Sequence, residues 1–139
     1  MKEIDVPAET IITKITEESQ CIPCKYGPIS YTGYNVATTV GDIFLGISND
    51  LQYCGNWGYL IKCKEKDLAY YVGAKVIKIV HCSNGNDRPD YLQEEKSLPL
   101  NIKTDRGDID LWVYNDSSGL YSHATRISVF SSFEKNSRI

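Results

Sequence analysis

Short runs of alternating apolar and polar residues, each stopped by turn formers, constrain this chain most, because such runs are satisfied as paired strands. Residues 10–16 put Ile11, Thr13 and Ile15 on one side and Ile12 and Lys14 on the other. Residues 36–39 and 43–48 read as strands turned by Gly41-Asp42, and residues 59–63 as another. The β-branched run KVIKIVHC at 75–82 reads as a buried strand. Residues 100–104 and 108–114 form a hairpin across Asp105-Arg106-Gly107, with Ile109, Leu111 and Val113 opposite Asp110, Trp112 and Tyr114. Residues 120–130 supply the last strand.

One helix is expected, over 64–72: Leu68, Tyr71 and Val72 fall at helical spacing, Glu65 and Asp67 are acidic in its first turn, and Gly73 follows as a stop. Residues 17–35, with Cys21-Ile-Pro-Cys24, Gly27-Pro28 and Gly33, read as loop or bent edge strand. Residues 1–9 and 131–139 are polar and expected to fray, and residues 83–99 read as a long exposed excursion. The expected fold is α+β and strand-dominated: a twisted, mostly antiparallel sheet, curled or partly closed, with one short helix. The 139 residues make one domain, long enough to bury a core without disulfides or metal.

Fifteen basic and eighteen acidic residues give a net charge of −3, with no Lys or Arg run longer than a pair, which argues against binding duplex nucleic acid. No run approaches a membrane span and the N-terminal stretch lacks the apolar segment of a secretory signal, so a cytoplasmic location is expected. The five cysteines are then expected to be reduced thiols.

Residues 46–60, GISNDLQYCGNWGYL, crowd glycine, asparagine and aromatics into one polar turn between strands. Ser48, Asn49 and Asp50 are turn formers, and Gly55 and Gly58 free the backbone on either side of Trp57. The ten tyrosines of the chain read first as residues on the exposed faces of strands and only second as rigid contact surface. Cys21-x-x-Cys24 with Cys54, Cys63 and Cys82 has the ligand count for zinc but lacks a second Cys-x-x-Cys, so no metal is expected. His81 beside Cys82 points to the opposite strand face, which separates base from thiol. Asp105, Asp108 and Asp110 lack the histidines of a metal hydrolase. No phosphate-binding loop, dinucleotide fingerprint or nucleophile elbow is present. The chain reads as a binder that is not an enzyme and needs no cofactor.

Cys54, Gly58-Tyr59, Tyr114-Asn115, Gly119, Tyr121 and His123 form a pattern that resembles a small domain-of-unknown-function family of bacteria and their phages. The resemblance spans residues 40–129, less the excursion. Tyr53 stands where that pattern has a cysteine, Ser117 and Ser118 where it has His-Asn, and Leu120 where it has an aromatic. It implies a shared fold and a phage setting, in which an anti-defence role is expected, and carries no chemistry of its own.

The resulting expectation is a non-enzymatic protein that sequesters a small nucleotide-like signal. Trp57, Tyr59, Tyr114 and Tyr121 would stack on a base, and Asn49, Asn56, Asn115 and Arg126 would read its edges. His123, on the last strand, is a structural or binding residue. The alternative is a protein–protein inhibitor that blocks a host partner with the same surface. Edge strands without obvious covers suggest a homo-oligomer.

Overall fold

The computed structural model describes residues 2–48, 57–81, 97–115 and 122–139. They form ten strands in two five-stranded sheets whose neighbours are all antiparallel. The first sheet has the order β1-β6-β7-β8-β5, with β1 Lys2–Ile4, β5 Trp57–Cys63, β6 Val76–His81, β7 Ser97–Thr104 and β8 Gly107–Asn115. The second runs β10-β9-β4-β3-β2, with β2 Ile12–Ile22, β3 Ile29–Thr38, β4 Gly41–Ser48, β9 Ala124–Val129 and β10 Phe133–Arg138. The expected single curled sheet is thus two sheets, neither of them closed.

Alternation dictates the packing. Ile43, Leu45 and Ile47 of β4 and Ile127 and Val129 of β9 meet Ile79 of β6, Leu100 and Ile102 of β7, and Ile109, Leu111 and Val113 of β8 in one buried core. The hairpin of β7 and β8 turns on Asp105-Arg106, with Gly107 at φ +122° and Thr104 Oγ1 donating to the Gly107 carbonyl at 2.6 Å. At one end the sheets are joined where the chain entering β2 bridges that entering β6: Ile11 faces Lys75, and Val76 N donates to Thr10 O at 2.8 Å.

Four sequence expectations need correction. The helix over 64–72 is a single 3-10 turn, Leu68–Tyr71, with Val72 already extended. The connection must deliver Ala74 and Lys75 to the inter-sheet bridge, and so short an isolated helix is marginal. Arg106 closes the turn by donating from Nη1 to the carbonyls of Tyr70 (2.9 Å) and Val72 (2.8 Å). Residues 17–35 are mostly strand: β2 and β3 pair from Ile12↔Thr38 to Ile22↔Ile29, and Cys24, Gly27 and Pro28 occupy only the tip. The polar stretches at the two ends are strands too, β1 on β6 and β10 on β9. Finally, Ser97 and Pro99 belong to β7, where they pair with Tyr114 and Trp112; residues 83–96 of the expected excursion lie outside the described residues.

Candidate binding site at one end of the sandwich

The strands that flank the two aromatic turns end together. Trp57 opens β5 directly across from Asn115, the last residue of β8. Ser48, which closes β4, is buried strand and not the turn former expected. His123 lies just before β9, and its ring stacks on Trp57 with centroids 4.8 Å apart and 26° between planes.

His123 is held from several sides. Its Nδ1 lies 2.8 Å from the Ser48 carbonyl, and its backbone N and O both bond Ile139, at 2.9 and 3.0 Å. Asn115 Nδ2 donates to the same Ile139 carbonyl at 3.0 Å, and Ser48 Oγ accepts from Ala124 N at 3.0 Å. A carbonyl can only accept, so Nδ1 of a neutral His123 carries the proton and Nε2 presents a lone pair. That Nε2 is buried and has no hydrogen-bond partner among the described residues.

Of the remaining predicted site residues, Tyr59 shares the inward face of β5 and meets Tyr34 edge-on at 5.5 Å. Burial, and then the Glu17 carboxylate, raise both tyrosine hydroxyls above their usual pKa. Tyr114 points the other way, its hydroxyl packed so closely on Gly58 that an added Cβ would lie 3.1 Å from it. Arg126 sits on the outward face of the second sheet, paired with Glu134, its Nε buried without a partner among the described residues. Asn49, Asn56 and Tyr121 lie outside the described residues. Trp57, Asn115 and His123 therefore come together, whereas Tyr114 and Arg126 face elsewhere. Sequence reasoning missed Ser48 and Ile139, which act through main-chain carbonyls that no side-chain pattern reveals, and Tyr34, which lay in a stretch read as loop or bent edge strand.

Most of the other candidate reactive groups have partners elsewhere. His81 Nε2 accepts from Lys135 Nζ at 2.9 Å across the two sheets; burial, then Lys135 and more distant cations, lower its pKa to about 4. Cys63 Sγ donates to the Glu65 carbonyl at 3.0 Å, and burial raises its pKa, the reverse of nucleophile activation. Asp108 pairs with Lys103, Asp110 accepts from Asn101 at 2.6 Å, and Asp105 accepts from Lys75 N. Cys21, Cys24 and Cys63 carry free thiols; Cys54 and Cys82 lie outside the described residues. Among the described residues no group of three His, Cys, Asp or Glu is placed to hold a metal ion, and no helix is long and apolar enough to cross a membrane. Set beside known proteins, the chain matches no family model, no curated protein and no solved structure.

Proposed function

We propose that this protein is a non-catalytic binding protein that holds a small, flat, nucleotide-type ligand at the Trp57–His123 end of the sandwich. One observation carries the reading: half-buried Trp57 and buried Asn115 and His123 converge where β5 begins, β8 ends and β9 is about to begin. An indole backed by a stacked imidazole is a rigid platform for a base, worth about 1–3 kcal/mol per stacked ring. Sequestration of a nucleotide signal, in the phage anti-defence setting implied by the family resemblance, is the role that such a site suits.

A second reading has its own observation. Among the four edge strands, β2 and β10 carry several charges, with Lys135 turned inward, and β1 has three residues. By contrast, β5 presents Trp57, Tyr59, Leu60 and Ile61 with Lys62 as its one charge. Edges of that kind recruit another chain, which favours a host-protein partner or self-assembly through β5.

Thermal denaturation with adenine, guanine, cytosine and uracil nucleotides tests the first reading. A nucleotide at a hundredfold excess over its dissociation constant stabilises by about 2.7 kcal/mol, and Trp57→Ala removes the shift. No shift with any nucleotide, together with a β5-dependent dimer in light scattering, would replace the first reading by the second.

A further inference from the structure

A second recessed surface lies on the outward face of the β10-β9-β4-β3-β2 sheet, and neither Trp57 nor His123 lines it. It is a cleft of about 350 Å³. Three rows of paired residues cross this face. The first contains Tyr31, Ser48, Ala124 and Arg138; the second Gly33, Gly46, Arg126 and Asn136; the third Asn35, Phe44, Ser128 and Glu134. Tyr31 and Ala124, only 3% and 5% exposed, form the apolar floor, and Ile22 and Ile29 from the β2–β3 hairpin pack against it. The second row stays low because it has two glycines: a Cβ on Gly46 would fall 2.5 Å from the Phe44 ring, and one on Gly33 would overlap the Leu45 carbonyl.

The β10 wall is ordered by charge. Glu134, Asn136 and Arg138 follow at every second residue on one strand face, so about 13 Å separates the Cα atoms of the outer two. Each has capacity left over. Glu134 Oε1 takes both Arg126 Nη1 and Asn136 Nδ2, leaving Oε2 without a partner among the described residues. Arg138 spends Nε and Nη2 on Ser122, at 2.9 and 3.0 Å, leaving Nη1 to donate. A carboxylate, a carboxamide and a guanidinium thus stand in line beside an apolar floor.

We infer that this cleft binds a short peptide with free ends, two or three residues long and bearing at least one large apolar side chain. The ammonium bonds Glu134 Oε2, the carboxylate bonds Arg138 Nη1, and Asn136 bonds a peptide group between them. The apolar side chain lies on Tyr31, Ala124, Ile22 and Ile29. Opposite charges a strand's length apart select a zwitterion of that span: a nucleotide lacks the ammonium and a fatty acid lacks it too. The volume sits at the small end of ligand sites, which matches two or three residues. This site stands independently of the one at Trp57.

Calorimetric titration with Leu-Phe and Leu-Leu-Phe, each also as its N-acetyl and C-terminal amide derivative, tests the assignment. The free peptides bind, and blocking either end weakens binding by about tenfold or more. Glu134→Gln and Arg138→Gln reproduce the loss for the matching end, with exposed Asn136→Ala as a milder variant that leaves the floor intact. Ala124→Phe fills the floor and abolishes binding in a protein whose melting curve remains cooperative, and Trp57→Ala binds as the parent does. Failure of both free peptides to bind at millimolar concentration overturns the assignment. So does binding that is indifferent both to blocked ends and to the variants on β10.

Discussion

The two histidines have similar burial and opposite surroundings. His81, inward on β6, accepts from Lys135 with its Nε2 and has Lys2 in the neighbouring strand. His123, ahead of β9, donates from Nδ1 to a carbonyl and stacks on Trp57. The first is a clasp: an ammonium from one sheet ends on an imidazole of the other, and only a neutral ring accepts that bond. The second is part of a platform, where ring shape and plane matter. Burial of a histidine therefore has no single meaning; the partner of its ring nitrogen decides whether it ties the two sheets together or is held as a backing for another ring.

The platform should be the more costly to dismantle. Trp57→Ala removes the ring stacked on His123 and opens space beside the core, with an expected loss of roughly 2–3 kcal/mol for a half-buried tryptophan. In a domain of this size that lowers Tm by about 10 °C. Denaturant unfolding of the variant measures it. A loss below about 1 kcal/mol would mean that the indole lies idle against the imidazole, and the comparison would fail on that side.

The clasp should respond to acid. His81 has a pKa of about 4 when folded and 6.5 when free, so as pH falls below 6.5 the unfolded chain takes up its proton first. Stability is full above that point, declines between about 6.5 and 4, and levels off below. The displacement corresponds to roughly 3 kcal/mol, which screening near the sheet edge reduces to about 2. Burial is the larger cause and Lys135 the next, so Lys135→Met should shrink the decline and His81→Phe should erase it. Unfolding free energies from pH 7 to 4 for the three proteins give the answer. An unchanged slope in His81→Phe would transfer the effect to carboxylates and remove the clasp from the account.

Legibility followed hydrophobic contrast. β4, β6 and β8 declare themselves through Ile43, Leu45, Ile47, Ile79, Ile109, Leu111 and Val113, and the inward row of β8 is the one read from alternation. β10 does not, because FEKNSR holds one apolar residue; as an edge strand it needs only Phe133 inward, while Lys135 turns in to reach His81. β2 declared itself only in its first half, through the alternation up to Thr16; its second half hid for the same reason behind Glu17, Glu18 and Gln20. The false helix arose from three apolar residues at helical spacing, where Tyr71 alone is buried and Arg106, distant in sequence, closes the turn. In the candidate site, Trp57, Asn115 and His123 were legible as residue types clustered near turns. Their union was not, since it depends on the pairing of β5 with β8 and on the carbonyls of Ser48 and Ile139. Tyr114 and Arg126 were assigned by chemistry alone, and strand parity sends each to another face.

The smallest expected effect separates the platform from the clasp most cleanly. Ser48 serves His123 through its carbonyl and serves β9 through its hydroxyl, which accepts from Ala124 N at 3.0 Å. Ser48→Ala keeps the carbonyl, and with it the His123 tautomer, but leaves a buried amide without its acceptor. That costs about 1 kcal/mol, or about 3–4 °C in Tm. Because the change lies across the core from His81 and shares no partner with it, the loss should be the same at pH 7 and at pH 5 and should add to that of Lys135→Met. The nucleotide binding proposed at Trp57 should persist in this variant, since the stack itself is untouched. A loss that grows on acidification, or that fails to add to the Lys135 variant, would show that the two histidines report on one coupled network and that their difference is local ornament.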